Sequence, residues 1–486
     1  MRPKVTFLTE VLIKQIISEA VTILCKIGVE IHNPAVLDLL ETHGATVDRD
    51  TSNVKFTDTL IEESLKSVPS SFNLYDIHGN ETHDFSGFNI HFTPGSSALN
   101  ILDYSTDERR KPDTSDYINY VRLVDQLKNM ASQSTAFIPD DVPEQMSDSY
   151  RLFLSLLYGR KPVITGAFSI ESFNIMKEFQ LAIRGTKEML AEKPLTVFSC
   201  CPTSPLKFSH TTSQNVLDCA KYAIPVEIVT MPLSGFIAPV TLTGTLVQHT
   251  AETFSGIVIS QMARSGTPIL YGGSPAVFDL RYETTPMGAI ETMMLDCAYN
   301  EIGKYLGIPT QAYISLSDAK QLDAQCGLET GMGATLAALA GINNISGPGM
   351  LDFESTISLE KLVLDNEICG MTFRMLEGIK PREDFPSEPI FTELLKDEHL
   401  LIANHTRKHL KHEHRFPGPV IDRANHSRWK ADGSLTLTQR AHAEVENHIS
   451  EYQPNGLSKE ISREMIQLME TEAKRFGLSS LPERVS

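Results

Sequence analysis

Long apolar runs, positive charge and cysteine are all scarce in this chain of 486 residues. No run approaches the roughly 18 apolar residues that a membrane helix needs, which predicts a soluble protein with no membrane association. Lys and Arg number 43 against 61 Asp and Glu, a formal charge of −18. Apart from the short ERRKP at 108–112, no basic stripe interrupts that balance, so nucleic acid is excluded as a partner. The seven cysteines are odd in number and lack framework spacing, which fits a reducing compartment and predicts the cytoplasm. No signal peptide is expected. Glu10, Lys14 and Glu19 interrupt the first apolar positions at helical spacing, so an amphipathic helix is predicted there.

Several cofactor motifs are absent as well. The glycine-rich run 327–341 (GLETGMGATLAALAG) has neither the Lys-Ser/Thr of a phosphate loop nor the G-x-G-x-x-G order, and reads as small residues that let a helix pack closely. His405, His409, His412 and His414 lie close together without H-E-x-x-H, and read as surface or packing histidines; no metal is assigned. Cys200 and Cys201 are adjacent at a strand end, where neighbours face opposite sides, and read as packed thiols. Asp76-Ile77-His78 begins like the D-x-H-x-x-G signature of cobalt-ligating proteins. Glu81 stands where its glycine is required, so the chain is not expected to carry its own cobalamin.

What is present is a rhythm. Eight β-rich runs begin at Phe88, Ala131, Pro162, Pro194, Pro225, Pro268, Pro309 and Ile342, and most end in Pro, Gly or Ser. Amphipathic stretches follow them at 114–128, 143–157, 170–184, 210–222, 242–264, 287–306, 319–340 and 356–376. Eight strands alternating with eight helices predict an α/β fold, a (β/α)8 TIM barrel. An open doubly wound sheet would normally carry a glycine fingerprint after an early strand. The expected organisation is an N-terminal α+β extension of two helices and a hairpin (1–87), the barrel (88–379) and a C-terminal helical extension (380–486). The first would close the bottom or one side of the barrel; the last would form a cap or an oligomer contact.

Catalytic groups of such barrels sit at the carboxyl ends of the strands. There, GGSPAVFDLRYETTPMGAIE (272–291) and SLSDAKQLDAQCGLETGMG (315–333) concentrate charge after the sixth and seventh strands. Asp279 and Arg281 lie in the first loop; Asp318, Lys320, Asp323, Gln325 and Glu329 crowd the second.

At these residues the chain resembles the trimethylamine methyltransferase superfamily, in particular its members without pyrrolysine that demethylate quaternary amines. TLTGTLVQHTAETFSGIVISQMARSGTPILYGG (241–273) and RWKADGSLTLTQRAHAEVENHI (428–449) carry the same resemblance, which covers most of 89–449. It implies a (β/α)8 barrel that passes a methyl group from a betaine, carnitine or similar quaternary amine to the Co(I) corrinoid of a separate cognate protein. A second methyltransferase then moves the methyl onward. Pyrrolysine, which marks the trimethylamine enzymes, would align in the loop containing Cys326, where every residue is ordinary. That departure puts trimethylamine in doubt as the substrate.

A quaternary nitrogen already carries its charge, so expelling a neutral tertiary amine needs no general acid, and the protein has mainly to bind and aim. Aromatic faces and a carboxylate suit such a head. Phe92, Tyr104, Phe278, Tyr282, Tyr313 and Phe353 are the expected walls, Asp279 and Glu329 the carboxylates, Gln325 an orienting group, and Arg281 the partner of a carboxylate tail. A non-catalytic quaternary-ammonium binding protein, a trimethylamine-type transferase and a metal-dependent barrel hydrolase remain as alternatives. A homo-oligomer is expected.

Overall fold

In the computed structural model, which describes residues 2–483, each of the eight β-rich runs holds a short strand. They are β1 (His91–Thr93), β2 (Gln133–Ser134), β3 (Val163–Thr165), β4 (Thr196–Cys200), β5 (Val226–Thr230), β6 (Ile269–Gly273), β7 (Gln311–Tyr313) and β8 (Asn344–Ser346). All pair in parallel. One ladder runs β2-β3-β4-β5-β6, with Val163 opposite Thr196 and Phe198 opposite Val226, and a second runs β7-β8-β1. Parallel bridges between Phe92 and Met130 and between Tyr271 and Thr310 join the two ladders. The strands thus form a closed cylinder in sequence order, a TIM barrel.

The return helices are α1 (Thr114–Gln126), α2 (Ser147–Tyr158), α3 (Ile170–Arg184), α4 (His210–Tyr222), α5 (Leu242–Ala263), α6 (Ile290–Tyr305), α7 (Ala324–Ala340) and α8 (Leu359–Leu376). Their starts are set locally. Asp113, Ser169, Ser209, Thr241, Asp323 and Ser358 each accept a first-turn backbone N–H, a cap worth about 1 kcal/mol.

The glycines of α7 do not share one role. A Cβ at Gly333 would lie 2.9 Å from the backbone nitrogen of Ser315, so glycine lets the helix seat against the end of β7. Nothing lies within 4 Å of a Cβ at Gly331. Gly333→Ala is therefore expected to destabilise by about 1–3 kcal/mol, while Gly331→Ala gains up to about 1 kcal/mol from helix propensity. Denaturant midpoints of the two variants moving in the same direction would contradict this packing account.

The floor of the barrel is closed by the hairpin of strands Asn73–Tyr75 and Glu81–Asp84. Its Leu74 and Phe85 pack against Ile164, Val197 and Leu270, which point inward from β3, β4 and β6. The hairpin turn uses Asp76, whose Oδ1 accepts the N–H groups of His78 and Asn80 at 2.9 Å, and His78 bonds the Asn455 carbonyl. The Asp-Ile-His sequence is thus a turn element under the barrel.

The extension before the hairpin departs from expectation. It contains three helices, Glu10–Lys26, Pro34–Thr42 and Asp58–Ser67, where two are predicted, with strands Val29–Ile31, Thr46–Asp48 and Asn53–Lys55 between them. Those strands are three residues each, too short for an alternation to register. They gain a fourth neighbour from Lys207–Phe208, and the three helices pack on α5 at the side of the barrel.

Beyond α8, helices Leu437–Ser450 and Lys459–Arg475 pack back onto the barrel helices, while Glu388–Asp397 buries no residue. The His405 and His409 rings lie side by side, tilted by 58°, each 3.6 Å from a carboxylate, Asp384 and Glu383 respectively. Among the described residues no group of three or more His, Cys, Asp or Glu converges as metal ligands would. No helix among them is long and apolar enough to cross a membrane.

Candidate active site

At the carboxyl ends of the strands lies a cavity of about 510 Å³. Its wall is rich in hydroxyls: Ser96 and Ser97 after β1, Thr135 after β2, Thr165 on β3, Ser199 on β4 and Thr212 on α4. Tyr313 at the end of β7 and Phe168 beyond β3 supply aromatic faces, and Glu354 enters from the loop after β8.

Beneath the cavity is Glu227, which sits two residues before the cavity-lining Val229 on β5 and therefore faces the barrel interior. It is fully buried. Ser199 Oγ donates to its Oε1 at 2.5 Å and Asn344 Nδ2 to its Oε2 at 3.4 Å. Asn344 in turn accepts from Thr93 Oγ1, which pairs with Ser132 Oγ. Hydrogen bonds thus link β4, β5, β8, β1 and the start of β2 across the interior. Burial pushes the Glu227 carboxyl up to about 7 against those two hydrogen bonds.

Glu354 is placed by an unusual backbone. Asp352, Phe353 and Glu354 have φ of 50°, 56° and 66°, three consecutive non-glycine residues in the left-handed region, at a cost of about 1–3 kcal/mol each. The turn is held at Asp352, which pairs with Arg109 at 2.7 Å and Lys320 at 3.4 Å and accepts from Ser355 Oγ. The Glu354 carboxylate accepts the Ser96 N–H at 3.3 Å. Burial raises its pKa to about 8; the Ser96 bond opposes this and the Glu227 charge adds to it. The Tyr313 hydroxyl reaches Ser96 Oγ at 3.1 Å, so Ser96 touches both the carboxylate and the phenol.

A second buried pair supports the wall. Arg151 and Asp148, both almost wholly buried, bond at 2.8 Å. Asp148 Oδ2 accepts the Phe168 N–H at 2.6 Å, and the Arg151 guanidinium lies 5.5 Å from the Phe168 ring centroid. Of the adjacent thiols, Cys200 packs into the core, while Cys201 is exposed at the cavity.

Of the residues expected to bind or transfer the donor, only Tyr313 lines this cavity; Cys200 and Cys201, read as packed thiols, line it too. Asp279 and Arg281 hold one another through a forked ion pair with contacts of 2.6 and 3.0 Å, which keeps the Asp279 carboxyl down at about 2. Arg281 and Tyr282 face solvent, 78% and 74% exposed in side chain and residue respectively, with the guanidinium beside the ring. Phe278 stacks on Phe236 in the same outer loop. Glu329 accepts from Ser317 Oγ, the Asp318 N–H and Gln325 Nε2 at 2.6, 2.8 and 2.9 Å. Asp318 accepts the N–H groups of Met287 and Gly288, so this cluster ties the sixth loop to the seventh. Phe92 is buried outside the strands against Phe373, Tyr104 stacks on His442, and Phe353 lies under the Lys320 ammonium.

Sequence reasoning missed Glu227 and Glu354. The first had a signal: it is the only charge in PVEIVTMP (225–232), and a charge inside a barrel strand must find partners within the barrel.

Comparison with known proteins agrees with this architecture. A family model described as trimethylamine methyltransferase (MTTB) matches residues 1–477. The chain belongs to that family. Glycine betaine methyltransferase of Desulfitobacterium hafniense (strain Y51) is 30% identical over 478 residues, covering 98% of each chain. Trimethylamine methyltransferase MttB of Desulfitobacterium hafniense (strain DSM 10664 / DCB-2) is 27% identical over 452 residues, 93% of this chain and 91% of that protein. The crystal structure of the Methanosarcina barkeri monomethylamine methyltransferase (MtmB) superposes with a TM-score of 0.52 at 12% identity, covering 96% of this chain and 87% of that one; at that identity it speaks to the fold. As a member of this family the protein is a methyltransferase, and one built of ordinary residues throughout. Cys326, expected in a loop, lies in the first turn of α7, buried with Ala319 and Leu351.

Proposed function

We propose that this methyltransferase binds a quaternary ammonium cation in the barrel cavity and passes one methyl group to the Co(I) corrinoid of a separate protein. The observation that carries the reading is the Glu354 carboxylate, set beside Tyr313 and Phe168 over buried Glu227 at the open end of the barrel. A permanent cation is favoured by such a carboxylate, and each aromatic face adds about 0.5–2 kcal/mol.

In the transfer, nitrogen keeps the electron pair of the breaking C–N bond and leaves as a neutral tertiary amine. Two electrons from Co(I) form the new bond to carbon, giving methyl-Co(III). No proton moves, so this chain needs no general acid. Glu354 balances the charge of the bound donor, the aromatic faces orient its methyl groups, and the Arg151–Asp148 pair holds Phe168 in place. Fixing the donor in line with the acceptor contributes several kcal/mol of the barrier, to about 7–11 in favourable cases.

The absence of pyrrolysine weighs against trimethylamine as the donor. Asp279, Arg281 and Tyr282 then belong to an outer rim at the mouth, where the corrinoid protein would approach. Seven free cysteines fit a reducing cytoplasm, which a Co(I) acceptor requires. Exposed Phe391, Leu395, Leu401 and Ile402 support a homo-oligomer built through the C-terminal extension.

The test is anaerobic incubation with Co(I) cobalamin and a panel of choline, glycine betaine, proline betaine, carnitine and γ-butyrobetaine. The expected result is the methyl-Co(III) spectrum with at least one donor, matched by release of its tertiary amine. No transfer from any of them, with the cognate corrinoid protein also supplied, would contradict the proposal.

A further inference from the structure

The far end of the donor meets a wall whose charge has one sign. Among the described residues, no lysine, arginine or histidine lines the cavity; its ionisable groups are Glu354, Tyr313 and the two thiols Cys200 and Cys201, with Glu227 beneath. Three guanidiniums are connected with the region, and all are already engaged. Arg109 does not line the cavity and is held by Asp352 at 2.7 Å. Arg151 lies behind the wall, 1% exposed, donating to Asp148 Oδ1 at 2.8 Å, the Thr135 carbonyl at 2.9 Å, Ser97 Oγ at 3.2 Å and the Ser147 carbonyl at 3.3 Å. Its charge is matched by Asp148 within the same buried pair. Arg281 is held by Asp279 on the outer loop and does not line the cavity.

A carboxylate tail entering here would give up its hydration for neutral hydroxyls while approaching Glu354 and Glu227. Burying an anion without a cationic partner is strongly unfavourable. An uncharged polar tail meets no such penalty, because Ser97, Thr135, Thr165, Ser199 and Thr212 can each donate or accept a hydrogen bond. We infer that the donor is a quaternary ammonium compound with an uncharged, hydroxyl- or carbonyl-bearing tail, and that carboxylate-tailed betaines are discriminated against. This rests on the cavity being the donor site, as proposed above, and replaces Arg281 as a tail partner with a ring of neutral hydrogen-bonding groups.

Choline and glycine betaine separate the two classes, since they share the trimethylammonium head and are close in size. Calorimetric titration of the intact protein with each is expected to give a Kd for choline at least about tenfold below that for glycine betaine. In Glu354→Gln, choline should lose most of its affinity. A carboxylate tail hydrogen-bonded to a protonated Glu354 would instead keep its affinity in that variant, because glutamine still donates. Equal affinities, tighter binding of glycine betaine, or no binding of either cation would overturn the inference. Neither titration requires turnover. A clear choline preference with no methylation of Co(I) would therefore contradict the transfer reaction and leave the donor class standing.

Discussion

Replacing Glu354 by glutamine is expected to lower kcat/KM for a quaternary donor by at least about 30-fold, with the protein still folded. The estimate follows from removing one partner of a desolvated charge pair, which costs about 2–5 kcal/mol. Glutamine keeps the shape and can still accept the Ser96 N–H that now reaches Glu354 Oε1. The loss should therefore appear in donor binding and transfer and leave the unfolding midpoint within about 1 kcal/mol of the parent. Asp279→Asn is the control. Its carboxylate is bound to Arg281 on the outer loop and does not line the cavity, so transfer to free Co(I) cobalamin should change less than about threefold. Steady-state kinetics on both variants decide the matter. A large loss in Asp279→Asn with Glu354→Gln unaffected would move the site to the outer loops.

The second large effect is on pH. A quaternary ammonium has no proton to lose, so any pH dependence of its binding belongs to the protein. Glu354 and Glu227 have carboxyls raised to about 8 and about 7 in the unliganded protein, in both cases chiefly by burial. The cation prefers the ionised form. Below those values a proton must be released on binding, and affinity falls as the pH falls; above them the carboxylates are already charged and affinity levels off. Linkage to Glu354 alone gives about a tenfold weaker Kd per pH unit below 8, and Glu227 adds to the slope below 7. From Glu354 alone the Kd should rise by about two orders of magnitude between pH 9 and pH 6, and full ionisation of Glu227 in the complex adds up to about one more. Calorimetry in buffers of different ionisation enthalpy would also detect the released proton. A flat profile, or tighter binding at pH 6, would show that neither carboxylate senses the cation.

The barrel was legible in the sequence because each strand is a short β-rich run bounded by Pro, Gly or Ser and followed by an amphipathic stretch. PVEIVTMP and PILYGGSP contain β5 and β6 whole. The small sheet of the N-terminal extension was not legible, since its strands pair with one another and with Lys207–Phe208 far along the chain.

The site was legible only in part, for a physical reason. Polar and charged residues such as Asp279, Arg281, Gln325 and Glu329 are conspicuous in and beside a loop, but such a segment satisfies its polar groups locally, as Asp279 does with Arg281 and Glu329 with Ser317 and Gln325. Tyr313 could be placed because strand ends converge on the mouth. Glu227 was missed, although it is an isolated charge in a strand. Glu354 could not be read at all: its position depends on three left-handed residues in succession, in a segment, DFE, with no glycine to suggest them.

In the proposed complex the donor's ammonium head sits in the barrel cavity against Glu354. A crystal structure of the protein soaked with a quaternary donor tests it most directly. Density for the trimethylammonium group is expected inside the cavity, within about 6 Å of the Tyr313 or Phe168 ring centroid and in contact with Glu354. A donor bound instead at the outer loops, between Asp279 and Tyr282, with the cavity empty, would contradict it.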